Sequence, residues 1–350
     1  MYNIGIIGLG LMGGSLAKAF SKIDEVNKII AYDNNIESLE NAKVEGYITE
    51  FTMNIDESFS DLDFIFICTP VNSIFEYAKK LKEVVKSDCI ITDIGSTKKE
   101  IVNRIDELGI NFVGAHPMIG SEKFGYDFSS EALYKNSYYL LTKTNKTKQE
   151  NIDKLKELLI KVDVKPLEME LEKHDFSVGA VSHVPHIIAS GLVNLVNDLD
   201  DENEYMKKIA AGGFKDITRI ASANPAMWQN ICIQNKDEVI RILDIFQNMI
   251  LEFKENIDNK DYIFDYFAKS KMYRDSFFAK DVFIMIEARN EVGFLANITR
   301  ICSDNNINIK NIKLHRPKED DEEVVYLYFE NESEKNKCLE LFKKTFYKIL

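Results

Sequence analysis

Along the first third of the chain, apolar residues come in short dense runs. Ile4, Ile6 and Ile7 make the first, followed by "KIIAYD" (28–33), "DFIFICTP" (63–70), "CIITDIG" (89–95) and "NFVGAHPMIG" (111–120). Runs this short predict buried strands of a parallel sheet, and the helix-like stretch around 73–86 supplies the alternation of a doubly wound α/β fold. Thr97 and Glu100 stand in T-x-x-E spacing, which predicts a capped helix from there to Gly109. From about 170 to 270 strand signals vanish. Asn224-Pro225 reads as an N-cap with a first-turn proline, and Val239, Ile242, Leu243, Phe246, Ile250, Phe253 and Ile257 recur at helical spacing, long enough to bury against other helices. After a polar connector near 270–280 the pattern changes again. "DVFIMIEA" is a strand, Gly293–Asn305 a helix, and "INIKNIKLHR" and "EVVYLYFE" two strands separated by an acidic turn at 319–323. A helix from about Ser333 and a short terminal strand complete a ferredoxin-like βαββαβ unit. The expected organisation is a Rossmann-type sheet domain over 1–168, an all-helical domain over 169–275 and a small βαββαβ domain over 281–350. A chain of 350 residues is too long for one typical domain.

Chemistry enters at the first strand–helix turn. "GLGLMGG" places Gly8, Gly10 and Gly13 in G-x-G-x-x-G spacing, with Leu11 and Met12 opening the helix whose N-terminus would meet a pyrophosphate. The second strand ends in Asp33, twenty residues after Gly13, where a carboxylate binds a ribose 2′-hydroxyl and repels a 2′-phosphate. Asn34 and Asn35 follow where an NADP site would want an Arg, so the expected cofactor is NAD. Thr69, Pro70 and Ser96 lie at the C-terminal ends of later strands, the edge where such sheets bind ligands. "GAHPMIGSE" (114–122) puts His116 on the same edge. An imidazole there is suited to take the proton of a hydroxyl undergoing oxidation, with Ser96 and Ser121 able to orient it and Glu122 to tune it.

A net charge of −13 argues against nucleic acid as a partner. Val184–Val196, the most apolar later stretch, reads as too short to span a membrane and carries His186 and Asn194. Five scattered cysteines (68, 89, 232, 302, 338) without C-x-x-C fit reduced thiols in a cytoplasm. His183 and His186 are three apart with Pro185 between them. Without a supporting acidic motif this is a poor metal signal, and no metal is expected; the pair fits polar groups at a helix start, with Pro185 in its first turn. Lys215 and Arg219, four apart, share a face if their stretch is helical, and Arg binds a carboxylate bidentately. Trp228 reads as a packing anchor at the pocket wall, and His174 and His315, which lack a motif, read as surface residues.

Six segments, in order, resemble the prephenate dehydrogenase family of tyrosine biosynthesis: "GLGLMGGS", "DIGSTK", "GAHPMIGSE", "SHVPHIIA", "GGFKDITRIA" and "NPAMWQNI", over about residues 1–270. The resemblance implies NAD-dependent oxidative decarboxylation of prephenate to 4-hydroxyphenylpyruvate. His116 would be hydrogen-bond acceptor and base, assisted by Ser96. Arg219 would be the main ligand of a substrate carboxylate, with Lys215 and His186 near the side-chain end and His183 beside them. The helical domain would form a homodimer. "ARNEVGFLANITRI" resembles an ACT domain, a regulatory amino-acid-binding module, although the usual Pro before the glycine is Val292 here. The effector expected is L-tyrosine, bound near Asn290, Gly293 and Asn297. Arogenate dehydrogenase is the nearest alternative. A β-hydroxyacid dehydrogenase would want a catalytic Lys in a Gly-rich helix motif, which "EKHDFSVGAVSHVPH" lacks, and a non-catalytic NAD-responsive sensor would not need His116, Ser96 and Arg219 together.

Overall fold

The computed structural model describes residues 1–120, 123–277, 282–288, 291–315, 324–345 and 347–349. The chain divides into two compact units, 1–249 and 250–350. In the first, strands β1 (Tyr2–Ile7), β2 (Val26–Tyr32), β3 (Glu50–Thr52), β4 (Phe64–Ile67), β5 (Ile90–Asp93) and β6 (Phe112–Pro117) alternate with helices α1 (Leu11–Phe20), α2 (Ile36–Val44), α3 (Ile74–Lys82) and α4 (Lys99–Asp106). They are followed by β7 (Tyr138–Lys143), α5 (Gln149–Ile160) and β8 (Lys165–Glu168). The sheet order is β3-β2-β1-β4-β5-β6-β7-β8, with β1 to β6 parallel. The order reverses at β1 and β4, and the crevice beyond their C-terminal ends is where such sheets bind ligands.

The apolar runs explain the sheet. Ile4, Ile6, Ile7, Ile65, Phe66, Ile67 and Ile91 are fully buried and divide between two hydrophobic clusters. A strand covered by helices on both faces must be apolar at consecutive positions, and each such side chain contributes roughly 1.5–3 kcal/mol. One feature was not anticipated: β7 runs antiparallel to β6, with His116 opposite Leu140. The last β5–β6 pair is Thr92 with Val113, so His116 lies three residues beyond the parallel pairing, at the cofactor edge.

The T-x-x-E capping box does not form. Helix α4 begins at Lys99 without a side-chain cap of its own, and the Thr97 hydroxyl instead donates to Gln234 Oε1 at 2.8 Å. The cap comes from Asp175, distant in sequence, whose carboxylate accepts from the Lys98 and Lys99 backbone N–H groups at 2.8 and 3.0 Å. Local spacing cannot reveal a cap supplied from 76 residues away.

The helical region comprises α6 (Leu171–Val178), α7 (Val184–Leu199), α8 (Tyr205–Ile209), α9 (Gly212–Thr218), α10 (Pro225–Gln234) and α11 (Lys236–Glu255). Pro185 takes the first-turn position of α7, as expected, but α7 does not begin as a free helix end. One helix runs from Leu171 to Leu199, and a π-helical turn at Gly179–His183 joins α6 to α7 ahead of the proline. The proline lacks an N–H and its ring crowds the carbonyl four residues back, so the backbone widens there. By length and composition this helix could cross a membrane; it carries four ionisable side chains, His174, Asp175, His183 and His186. Asn224 caps α10 as expected, accepting from the Ala226 and Met227 N–H groups. Of the α11 stripe, Val239 and Ile242 pack with Val184, while Ile250 and Ile257 are exposed in the single chain.

In the second unit α12 (Lys260–Ser276) occupies much of the expected connector. Strands β9 (Val282–Glu287), β10 (Asn311–His315) and β11 (Val324–Phe329) form an antiparallel sheet in the order β10-β11-β9. Helices α13 (Phe294–Asp304) and α14 (Glu332–Phe342) share its core cluster. The terminal strand reduces to a bridge between Ile286 and Ile349. The acidic turn 319–323 lies outside the described residues, as does the His315 side chain.

Two glycines of the first turn are expected to behave oppositely. A Cβ on Gly13 would stand 1.9 Å from the Gly8 carbonyl oxygen, whereas one on Gly10 meets nothing within 4 Å. Urea unfolding should show Gly13→Ala destabilised by about 1–3 kcal/mol and Gly10→Ala close to the parent; equal stability of the two would refute the steric assignment.

Candidate active site

The glycine turn is built as a phosphate cradle. Gly8 has φ +93°, and a Cβ there would strike the Cys68 carbonyl at 2.7 Å, so β1 and β4 end against one another. Gly10 caps α1 with open space above it, and the α1 N-terminus offers N–H groups and a positive dipole end through Leu11 and Met12. Asp33 follows β2 and also holds the turn. Its carboxylate accepts from Leu9 N–H at 2.5 Å and Asn35 N–H at 2.7 Å, leaving further lone pairs for a ribose. Thr69 and Pro70 follow β4, and the Ser73 hydroxyl donates to Thr69 Oγ1 at 2.9 Å.

Asp93, the last residue of β5, ties two loops together. One oxygen accepts from Ala115 N–H, the residue before His116; the other accepts from Gly95 N–H and from Lys98 Nζ at 2.5 Å. Ser96, half-buried, sits in the turn between Gly95 and Lys98. Lys98 and Asp93 are both fully buried, so the ammonium needs that carboxylate and the Thr97 carbonyl, to which it also donates.

His116 is 7% exposed, and its Nδ1 lies 3.1 Å from His174 Nε2; His174 Nδ1 in turn lies 2.7 Å from Asp175 Oδ1. This corrects the reading of His174 as a surface residue, since it is fully buried. The hydrogen-bond polarity follows from the carboxylate. Asp175 accepts, so His174 carries its proton on Nδ1 and accepts at Nε2; His116 then donates from Nδ1, and its Nε2 is left with a bare lone pair. Burial holds the His116 pKa well below 6.5, and the neighbouring His174, Lys98 and His183 lower it further. Burial also lowers His174, against the opposing pull of Asp175. Burial alone would raise Asp175, but its hydrogen bonds from His174 and the Lys98 and Lys99 N–H groups hold it below the usual carboxylate range. The outcome is a neutral base backed by an ionised acid.

The same helix carries the remaining histidines. Asn235 Nδ2 donates to the Asp175 carbonyl at 2.8 Å and to His183 Nδ1 at 2.9 Å. His183 therefore holds its proton on Nε2, which is buried and has no hydrogen-bond partner among the described residues; the buried Trp228 Nε1 is in the same condition. The two rings meet edge to face at 6.0 Å. Two neighbouring buried N–H donors without an acceptor mark a place where an oxygen belongs. His186 stacks on Trp228 at 3.8 Å, donates from Nδ1 to the Ser182 carbonyl, and feels the charge of Arg219. Lys215 lies in α9 and Arg219 opens the following 3₁₀ turn, both exposed. Ser121 and Glu122 lie outside the described residues, as does Asn290. Gly293 has φ +86° at the N-cap of α13, and Asn297 lies in that helix's first turn.

Sequence reasoning missed His174, Asp175 and Asn235, and gave no role to Lys98 or Asp93. The available signal was "EKHDF", an adjacent His–Asp pair in the segment leading into an apolar helix.

Residues 16–167 match the family model for the prephenate dehydrogenase nucleotide-binding domain. Residues 170–270 match the prephenate dehydrogenase dimerization domain, and residues 282–344 the ACT domain. Over 351 residues the chain is 31% identical to the prephenate dehydrogenase of Bacillus subtilis (strain 168), covering 96% of this chain and 95% of that one. The solved structure of prephenate dehydrogenase from A. aeolicus, in complex with hydroxyphenyl propionate and NAD+, is similar with a TM-score of 0.75 at 35% identity, over 79% of this chain and 98% of that one. Synechocystis arogenate dehydrogenase is similar with a TM-score of 0.72 at 25% identity, over 79% of this chain and 99% of that one. The chain therefore belongs to the prephenate dehydrogenase family of NAD-dependent oxidoreductases and carries an ACT domain at its C-terminal end.

Proposed function

We propose that this chain oxidatively decarboxylates prephenate to 4-hydroxyphenylpyruvate in L-tyrosine biosynthesis, as a cytoplasmic homodimer inhibited by L-tyrosine. The observation that carries the reading is the His116–His174–Asp175 chain at the cofactor edge of the sheet. Bound NAD supplies the hydride acceptor. Gly8, Gly10, Leu11, Met12 and Gly13 would hold its pyrophosphate, Asp33 its ribose, and Thr69, Pro70 and Ser96 the side nearer the chemistry. His116 Nε2 accepts the substrate hydroxyl proton as that carbon is oxidised, and Asp175, acting through His174, stabilises the imidazolium. Loss of CO₂ from the resulting dienone restores aromaticity, and the proton returns to the phenol oxygen. Ser96 orients the hydroxyl. His183 Nε2 and Trp228 Nε1 donate to a substrate oxygen, and Arg219 and Lys215 receive the side-chain carboxylate, with His186 near that end.

Prephenate is favoured over arogenate on charge. An ammonium about 6 Å from a guanidinium costs on the order of 3 kcal/mol at an effective dielectric of 20. NADH formation followed with each substrate should give a kcat/KM for prephenate at least about tenfold higher, and NAD should be clearly preferred to NADP. Preference for arogenate would transfer the chain to that activity, and preference for NADP would remove Asp33 from the ribose site.

His116→Asn should lower kcat by about 10²–10⁴-fold while prephenate still binds. The base works unprotonated, and burial depresses its pKa, so the acid limb of kcat/KM should lie below the ordinary histidine value of 6.5. Near-normal turnover of the variant, or an acid limb above that value, would reject His116 as the base.

Tyrosine is placed at the ACT domain near Asn290, Gly293 and Asn297. Asn297→Ala should abolish tyrosine inhibition with uninhibited turnover unchanged; persistence of full inhibition would move the effector to the catalytic unit.

A further inference from the structure

Two thiols in the ACT domain are placed as no other described cysteines are. Cys302, in the last turns of α13, and Cys338, in the middle of α14, are both buried, with their sulfurs 3.6 Å apart. All five cysteines are free, and Cys68, Cys89 and Cys232 have no such neighbour among the described residues. A buried cysteine is ordinarily an inert packing group. Here two of them face each other from helices that cover the same sheet. A disulfide at about 2.05 Å needs the two sulfurs to approach by only about 1.5 Å. The hydrogen bond between the thiols lowers the pKa of Cys302, which favours it as the attacking sulfur. The terminal segment is held to β9 through the Ile286–Ile349 bridge, and Tyr347 packs against Phe294 and Phe342. Local opening of so short a pairing admits a small reagent.

We propose that Cys302 and Cys338 form a reversible dithiol–disulfide site that takes a low-molecular-weight disulfide as its oxidant. The Cys302 thiolate attacks one sulfur of the small disulfide, whose S–S bond breaks and expels one small thiolate. The Cys338 thiolate then attacks the Cys302 sulfur of the mixed disulfide and expels the second. The two protons lost by the protein thiols go to the two departing thiolates. The protein is oxidised by two electrons, and the small disulfide is reduced to two thiols. The new bond joins α13 to α14 and closes a loop containing β10 and β11, so it restrains most of the domain. None of this depends on the substrate or on the identity of the effector.

The test uses the native, fully reduced, full-length chain equilibrated with oxidised glutathione. Two of the five thiols should disappear, and the intact mass should fall by two hydrogens. Tryptic cleavage after Arg300, Lys310, Lys337 and Lys343 should give "ICSDNNINIK" joined to "CLELFK". Dithiothreitol should reverse the change, and the oxidised chain should show raised hydrogen-exchange protection in α13 and α14. Cys338→Ser should stop at glutathione bound to Cys302. Five titratable thiols after equilibration, a stable glutathione adduct on Cys302 with Cys338 present, or a bridge to any other cysteine would each overturn the proposal. The wild-type chain carries the main readout, so a variant that fails to fold leaves the test intact.

Discussion

The catalytic unit is organised around one buried carboxylate. Asp175 accepts from the Lys98 and Lys99 N–H groups at the start of α4, orients His174, and through its backbone carbonyl engages Asn235. Each contact serves a different element. The first pair fixes the helix after Ser96, the second fixes the tautomer of His116 through one intervening ring, and the third sets the protonated nitrogen of His183. An ionised group this deep is costly unless every lone pair is used, and here the demand for partners draws the helical region onto the sheet domain. Replacing the carboxylate by an amide would put a donor where two backbone N–H groups and an imidazole N–H now converge.

The same requirement explains why the site runs on neutral imidazoles. Four histidines crowd one end of the sheet, and burial depresses all of them, His183 to about 4. If they were charged together they would repel one another and Lys98. Kept neutral, they form a directed series of donors and acceptors whose sense is set by Asp175 at one end and by the Asn235 amide at the other. Asp93 and Lys98 form the complementary anchor. Their buried pair ties the Ser96 turn to the residue before His116, so the two polar groups suited to meet a substrate hydroxyl are held by one carboxylate without touching it.

What was legible in the sequence divides along the range of the interactions. The parallel strands could be read because a strand covered on both faces must be apolar at consecutive positions, and Ile4 to Ile7 or Phe64 to Ile67 satisfy this locally. The glycine turn and the N-cap at Asn224 were legible because each is completed within a few residues. The failures share the opposite property. Thr97 and Glu100 have the spacing of a capping box, but the cap arrives from Asp175. His174 looked like a surface histidine because its partners lie 58 residues before it and one residue after, and only the fold brings His116 to it. Pro185 resembled a free helix start because a π-helical turn, which lets the helix pass through, leaves no signature in residue spacing.

The charge of the chain sharpens the last point. A net charge of −13 would repel a dianion unless positive groups were gathered where it binds. Lys215 and Arg219 are exposed, and Arg219 acts on His186, which stacks on Trp228. The donors of His183 and Trp228 are uncharged and buried, and so is His116 with its bare lone pair. Under the proposed function, exposed positive charge would attract and orient a carboxylate without cost to the interior. Buried neutral donors would fix its oxygens where a buried charge would have to be neutralised. His116, as the proposed proton acceptor, would need no charge of its own until the moment of reaction, with Asp175 in place to stabilise it. The pairing of solvated cations with a buried neutral base would allow a strongly acidic protein to handle an acidic substrate.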